Sequence, residues 1–226
     1  MDQALDFTPV REGRVAAEPN GWQQRKSAEM RSLVLETAID CLVEDGYAGF
    51  SVQRTARRAG VSRGALLHHF ATKGDLVSAV VEYTFQIRIQ TFLADFKQSC
   101  ARGNDRVETA AGMYWDSVQT REFAAYLELV VAARTDNELR ELLLPEIRRY
   151  DRLWSEEMTR AFPQWDGNSK MLQLSGDFVA VAHLGLLLQP AWEPERVNAV
   201  LGLVEATVAL LYRAHKDSVA QEGPAS

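Results

Sequence analysis

Apolar residues recur at helical spacing from about residue 30 onward. In the first such segment they fall at i, i+3, i+4, i+7, i+8, i+11 and i+12 and form one stripe. The stripe consists of Met30, Leu33, Val34, Thr37, Ala38, Cys41 and Leu42. Gly46 is expected to end this helix, because glycine adopts the left-handed conformation of a helix terminus without steric cost. No alternating strand pattern bounded by hairpin turns occurs along the sequence, which therefore predicts an all-α protein.

Three hydroxyl side chains able to cap a helix follow at Ser51, Ser62 and Thr72. They predict a short second helix that ends at Gly60, a third that begins at Arg63, and a long fourth helix. The glycine supplies the backbone freedom for a tight turn between the second and third helices. Two short helices joined in this way form a helix-turn-helix, whose second helix enters the major groove of DNA.

The remaining two thirds of the sequence continue as helices separated by clusters of helix breakers, which gives about nine helices in all. Pro145 stands inside one of them and is expected to bend it. The last two helices differ, since 171–188 is apolar almost all round and 194–216 carries one apolar stripe. A helix that is apolar on every face must be covered on every face, so this pair predicts a homodimer interface. The residues expected there are Leu184, Leu187, Leu188, Leu201, Val204 and Val208.

Charge is distributed unevenly along the sequence. The whole chain carries 25 Lys and Arg against 31 Asp and Glu, a net charge of -6. Residues 25–74 hold eight basic and five acidic side chains, whereas residues 75–226 hold fifteen and 22. A basic N-terminal block on an acidic body is expected where only one part of a protein meets a polyanion.

The composition excludes several classes of protein. A hydrophobic fraction of 46% is ordinary for a soluble globular chain of 226 residues. Cys41 and Cys100 are far apart and lack the spacing of a metal site, so we predict no metal and no cofactor. The first two dozen residues contain no apolar signal segment, and no uninterrupted apolar run reaches 18 residues. These features predict a cytoplasmic protein without a membrane partner.

The segment SVQRTARRAGVSRGALLHHFATKGDLVSAV, residues 51–80, resembles the DNA-binding domain of TetR/AcrR-type transcriptional regulators. The resemblance covers about residues 30–80, and beyond residue 80 it is architectural only. The positions that fit are Gly46, Ser51, Ala56, the AGVS turn at 59–62, Gly64, Leu66, His69, Phe70, Lys73 and Leu76. It implies a flexible extension (1–24), a three-helix DNA-binding domain (25–73), an effector-binding and dimerisation domain (74–218) and a flexible tail (219–226).

The resemblance implies that the third helix reads base edges. Arg63 would make a bidentate contact to the O6 and N7 atoms of a guanine. Gly64 and Ala65 would let the helix approach the bases closely, with the alanine methyl available to a thymine. Gln53 matches a position that reaches a base or a phosphate from the preceding helix.

Other residues are implied as phosphate contacts. Ser51 would use its hydroxyl, and His68 and His69 lie on the last turn of the recognition helix. Lys73 would clamp a phosphate at the positive end of the fourth helix. Leu67 departs from the family pattern, since relatives carry a tyrosine there whose hydroxyl donates to DNA. This departure puts the family's rules for the operator sequence in doubt.

The middle of the sequence is rich in aromatic and methionine side chains. For most of them, packing into the core is the alternative to a binding role. The resemblance implies a small-molecule cavity among the fourth to eighth helices, suited to an apolar or aromatic effector. The predicted lining is Trp115, Phe123, Tyr126, Met158, Phe178 and His183, with Gln119 and Glu128 as polar contacts.

Together these observations predict a ligand-responsive regulator that binds a palindromic operator in double-stranded DNA as a dimer. The resemblance favours repression, with activation as the alternative. An enzyme is disfavoured, because the sequence holds no GxSxG, HExxH, P-loop or Rossmann glycine pattern. A second alternative is a helical dimeric interaction protein whose helix-turn-helix does not read DNA sequence.

Overall fold

The computed structural model describes residues 21–102, 106–165 and 168–222, and these ranges contain nine α-helices and no strand. The all-α prediction is therefore confirmed. The first four helices are α1 (Trp22–Gly49), α2 (Val52–Arg58), α3 (Arg63–His69) and α4 (Lys73–Ala101). The others are α5 (Arg106–Val118), α6 (Arg121–Ala132), α7 (Asn137–Ala161), α8 (Ser169–Leu187) and α9 (Pro194–Glu222), with a short 3-10 turn at Pro163–Trp165.

The three predicted N-caps are all present. The hydroxyls of Ser51 and Ser62 each accept a hydrogen bond from the backbone N–H three residues on, at 3.2 and 3.1 Å. Thr72 does the same, and the Asp75 carboxylate accepts from the Thr72 N–H at 2.9 Å, which completes a capping box. Local side-chain chemistry therefore fixes where α2, α3 and α4 begin.

Two glycines make the turns that the helix-turn-helix requires. Gly60, between α2 and α3, has a φ of 68°. Gly46 has a φ of 67° and interrupts α1 three residues before its last residue, as the sequence predicted. Both values lie in the left-handed region, where a Cβ atom would be strained.

The ends of the chain differ from the predicted boundaries. α1 already begins at Trp22, inside the extension predicted for 1–24, and α9 runs through Glu222, inside the tail predicted for 219–226. Residues 1–20 and 223–226 lie outside the described part of the chain. α7 continues through Pro145, so the proline does not end the helix. The Pro145 side chain is exposed.

One hydrophobic core joins the helix-turn-helix to the following domain. It contains buried side chains of α1, α3 and the N-terminal half of α4 together with those of α6 and α7. Its largest fully buried members are Ile39, Leu42, Phe50, Leu66, Phe70, Leu76, Leu129, Leu139 and Leu143. The predicted domain boundary after residue 73 therefore falls within a shared core, through which displacements of α6 or α7 reach the helix-turn-helix.

Candidate DNA-binding surface and effector cavity

The outer face of α3 is open to solvent, whereas its inner face is locked into the core. Leu66 has no exposed surface, and Phe70, which follows the helix, is 2% exposed. On the outer side Arg63, Gly64 and His68 are exposed. This arrangement presents the first residues of the helix on a rigid base, which base-edge contacts require.

None of the nine residues predicted to contact DNA is fully buried. Gln53 on α2 is exposed like Arg63, Gly64 and His68. Half-buried are Ser51, Ala65, Leu67, His69 and Lys73. The nine residues span the capped start of α2, all of α3 and the first residue of α4.

The arginines of this region fall into two groups. Arg54 forms an ion pair with Asp45, and Arg58 forms a bidentate pair with Glu44, so α1 carboxylates hold both side chains back. Arg57 and Arg63 are exposed, and within the described ranges no carboxylate lies within 4 Å of either. The guanidinium at the head of α3 is therefore available to an external acceptor.

Two of the predicted phosphate contacts are held by aromatic surroundings. The Nζ atom of Lys73 lies 3.8 Å from the ring centroid of Tyr47, and burial lowers the pKa of this lysine. Burial, and then the positive charges of His68 and Arg31, lower the pKa of His69. At neutral pH His69 is therefore uncharged. It can donate or accept a hydrogen bond, but it does not add a second positive charge beside Lys73.

Glu128, predicted as an effector contact, binds the end of α1 and is not among the residues that line the aromatic cavity described below. Its Oε1 atom accepts a hydrogen bond of 2.9 Å from the backbone N–H of Tyr47. This hydrogen bond joins α6 to the end of α1 at Tyr47, the residue whose ring contacts the Lys73 ammonium group. Nearby, Arg121 at the start of α6 pairs with Glu36 and Asp40 of α1.

Replacing Glu128 by alanine is expected to destabilise the fold by about 1–3 kcal/mol, because the Tyr47 N–H loses its acceptor in a half-buried position. Glu128→Gln keeps an acceptor oxygen and is expected to lose less than half as much. Urea denaturation of both variants measures the difference. Equal losses would show that charge, not the hydrogen bond, joins α6 to α1.

An aromatic cavity of about 190 Å³ lies between α4, α5, α7, α8 and α9. Its principal walls are Phe92, Tyr114, Tyr150, Trp154, Met158, Phe162, Trp165, Leu172, Val179 and Val208. Ser175 also lines it and is 4% exposed, and its hydroxyl has no partner among the described residues. Asp151 and Asp177 line it as well, but both are exposed.

Only Met158 of the eight predicted effector contacts lines this cavity. On α5 Tyr114 lines the cavity and its neighbour Trp115 does not, and on α8 Asp177 and Val179 line it and Phe178 does not. One position along a helix rotates a side chain by about 100°, so an error of one residue moves it off the cavity. Phe178 is 42% exposed on the outer side of α8.

Phe123, Tyr126 and Gln119 also lie away from the cavity lining. The ring centroids of Phe123 and Tyr126 are 5.7 Å apart, and Tyr126 packs against Phe85 at 4.9 Å. Gln119 is exposed, and its side-chain amide donates to the Trp115 carbonyl at 3.4 Å. Phe123 and Tyr126 are therefore core residues. This agrees with the alternative interpretation of the aromatic segment, in which its side chains pack into the core.

His183 packs inside the domain. It is 1% exposed, and its ring lies 5.8 Å from that of Tyr114 and 5.5 Å from that of Trp115. Burial lowers the pKa of His183 to about 4, so the imidazole is neutral at pH 7. His183 does not line the cavity but packs against Tyr114, which does. No group of three potential metal ligands occurs within the described ranges.

Arg88, a buried cation on α4, was not predicted from the sequence as a functional residue. The side chain is 4% exposed, and its guanidinium carbon lies 4.5 Å from the ring centroid of Phe123. A signal was available in the sequence. Buried positions on α4 include 81, 84, 85, 88, 89 and 92, and residue 88 is the arginine among otherwise apolar or small side chains.

The outward faces of α8 and α9 carry exposed apolar side chains. These are Leu174, Phe178, Val181, Leu188, Leu203 and Leu210, of which Val181 is 71% exposed. Of the predicted interface residues, Leu188 is exposed, and Leu184, Leu187 and Leu201 are half-buried. Val204 and Val208 are wrong as interface residues, because they turn inward and pack with Ala111 and Val179.

The stretch Pro194–Asp217 of α9 is long and apolar enough to cross a membrane, with a mean hydropathy of 1.4. One such helix is weak evidence, since length and composition are its only basis. The inner side of α9 packs on α5 and α8 through Val204 and Val208.

Comparison with known proteins agrees with this architecture. Residues 34–80 match the family model of bacterial regulatory proteins of the tetR family. The HTH-type transcriptional regulator Rv2912c of Mycobacterium tuberculosis is 31% identical over 192 residues, which cover 81% of this chain and 97% of that protein. The HTH-type transcriptional regulator CymR of Pseudomonas putida is 33% identical over 130 residues, which cover 56% of this chain and 62% of that protein.

Among solved structures, a TetR-family transcriptional regulator from Rhodococcus sp. superimposes with a TM-score of 0.62 at 18% identity, covering 82% of this chain and 99% of that one. Such a likeness shows a shared fold. The family match covers the helix-turn-helix, and the mycobacterial relative extends the similarity to 81% of this chain and 97% of its own length. The chain therefore belongs to the TetR family of transcriptional regulators, which are DNA-binding proteins and not enzymes.

Proposed function

We propose that this protein is a repressor that binds a palindromic operator as a homodimer and leaves it when a small, largely apolar effector enters the α4–α9 cavity. The observation that carries the proposal is the open outer face of α3, which begins with Arg63, exposed and without an ion-pair partner among the described residues. The exposed apolar faces of α8 and α9 support the homodimer, and the aromatic cavity supports the effector.

The dimer follows from the surface of α8 and α9. Contiguous exposed apolar side chains on a soluble protein mark an interface. Among the residues that the structure describes, none outside the immediate helix lies within 4 Å of a Cβ placed at Gly176, Gly185 or Gly202, so the backbone there is open to close approach by a second copy. A two-fold dimer presents two α3 helices, and the operator half-sites must match their separation.

Effector control follows from linkage. A ligand that binds more tightly to the conformation with the wrong α3 spacing lowers operator affinity by its differential affinity. Two routes in this chain join the cavity domain to α3. α4 runs from Lys73 to the cavity wall at Phe92, and α6 is tied to α1 through Glu128.

Two relatives support the proposed sign of control and the ligand. The Corynebacterium glutamicum protein AcnR, 32% identical over 117 residues, is named a transcriptional repressor. EbrR, which shares the fold with a TM-score of 0.56 at 20% identity, is described as a multidrug binding protein and was solved with imidazole. A DNA-binding repressor of this kind acts in the cytoplasm.

The test is selection of bound duplexes from a random DNA pool at 50 and 200 mM salt. An inverted repeat is expected to enrich, and with about six to ten phosphate contacts affinity is expected to fall by roughly 10³–10⁵ between the two salt concentrations. Weak binding of all duplexes without enrichment would contradict the proposal. It would favour instead a helical dimer that interacts with other proteins.

A further inference from the structure

Arg88 lies among aromatic rings at the centre of the second domain. Its guanidinium carbon is 4.5 Å from the ring centroid of Phe123 and 5.9 and 5.8 Å from those of Tyr114 and Tyr150. The side chain is 4% exposed, and its Nε and Nη2 atoms have no hydrogen-bond partner within the described ranges. Buried donor atoms of a charged group are unfavourable without acceptors, so these two atoms indicate a partner that arrives from outside the chain.

The two unpartnered atoms identify the kind of partner. The Nε–H bond and one N–H bond of Nη2 lie along the same edge of the planar guanidinium group and point in the same direction. The two oxygens of a carboxylate accept such a pair in parallel, which is the bidentate geometry that favours arginine over lysine. A carboxylate has only two oxygens, so both would be paired with Arg88. An anion with a third oxygen would leave that oxygen facing the aromatic rings without a hydrogen-bond donor.

Arg88 does not itself line the cavity, but it contacts two residues that do. Tyr114 and Tyr150, the rings beside its guanidinium, both line the cavity, as does Phe92, one turn further along α4. The two tyrosine rings thus separate the cation from the cavity. Displacement of either tyrosine ring would open the cavity to the Arg88 guanidinium.

We infer that the effector is a carboxylic acid with an apolar, ring-containing body, and that its carboxylate pairs with Arg88 between Tyr114 and Tyr150. The inference rests on the proposed function, because it names the chemistry of the proposed effector. The body of the ligand occupies the cavity itself, against the walls that include Phe92 and Trp154. The exposed Asp151 and Asp177 oppose an approaching anion only weakly, since water and salt screen their charges.

This position also explains how the ligand would be sensed. Tyr150 stacks on Phe85 with ring centroids 3.8 Å apart and an angle of 16° between the planes. Phe85 belongs to the core that α4 shares with α1, α3, α6 and α7. A carboxylate that displaces Tyr150 therefore displaces Phe85, and close packing passes the movement to the core beneath α3.

The test is a titration of the full chain with four acids, each compared with its uncharged amide: benzoate, 3-phenylpropanoate, 2-naphthoate and indole-3-acetate. Binding is followed by calorimetry, and operator release is measured in parallel. At least one acid is expected to bind wild-type protein about tenfold or more tightly than its amide, because two charge-assisted hydrogen bonds distinguish them. The inference is overturned if no acid binds or if every acid binds no better than its amide.

Arg88→Met is the decisive variant, since it keeps the length of the side chain and removes the charge. The preference for the acid is expected to disappear, while amide affinity and the unliganded melting temperature are expected to stay at or above wild-type values. Arg88→Lys keeps the charge without the two-donor edge, and its acid affinity is expected to fall about tenfold. A preference that survives in Arg88→Met, or an acid affinity that is unchanged in Arg88→Lys, would place the carboxylate elsewhere.

The proposed function can fail separately. An enriched inverted repeat without any acid preference would leave a DNA-binding repressor with another kind of effector. Arg88-dependent acid binding without enrichment of any duplex would leave an acid-binding helical protein and overturn the repressor proposal.

Discussion

A glutamate at Val181 is expected to convert the protein from a dimer into a monomer and to abolish operator binding. Val181 is 71% exposed at the centre of the apolar face of α8, where its change costs the isolated chain little. At the proposed interface two glutamates would be buried near each other across the two-fold axis, without partners. Sedimentation at micromolar concentration measures the oligomeric state, and operator titration measures the loss of affinity.

Val131→Glu is the matched control, since Val131 is 47% exposed on α6, away from the face of α8 and α9. It is expected to remain a dimer. Val204→Glu is expected to behave differently from both, because Val204 is 3% exposed within the chain and its charged variant should unfold rather than dissociate. A Val181→Glu protein that stays dimeric would show that the two copies meet elsewhere.

Replacing Arg63 by alanine is expected to remove most of the sequence preference while leaving the dimer intact. A bidentate contact to guanine is worth about 1–3 kcal/mol of discrimination. Two half-sites double this value, so affinity for the selected operator is expected to fall roughly 30-fold to 10⁴-fold. Competition between operator and scrambled duplexes measures the ratio at one fixed salt concentration.

Arg58→Ala removes the same charge from the adjacent helix and serves as the control. Its guanidinium is held by Glu44, so it contributes little to an external contact. The ratio of operator to scrambled binding is therefore expected to stay near the wild-type value. Equal losses in the two variants would indicate that net charge, and not base contact by Arg63, governs binding.

Local rules predicted the N-terminal part of the fold almost completely. The caps at Ser51, Ser62 and Thr72, the turn at Gly60 and the interruption at Gly46 each depend on one side chain or one backbone conformation. A residue's own chemistry and its neighbours within four positions decide such features. The same local rules placed Arg63 at the head of an exposed recognition helix.

The cavity was predicted less well, because its lining depends on how helices rotate against one another. Sequence pattern showed that α5 and α8 are rich in apolar residues, but not which residues face inward. Trp115 and Phe178 were expected in the cavity, where the structure has Tyr114 and Val179. Likewise the apolar stripe of α9 was expected to form the dimer interface, but its member Val204 packs inward, whereas Leu203, outside the stripe, is 66% exposed.

By itself, the sequence determined the all-α class, the helix-turn-helix and the residues presented by α3, since capping, turn conformation and helical period act over a few residues. The tertiary structure alone decided that Glu128 binds the end of α1, that Arg88 is buried without a partner for two of its donors, and which sides of α8 and α9 remain uncovered. These features join positions far apart in the chain, and the rotation of each helix within the packed domain sets them.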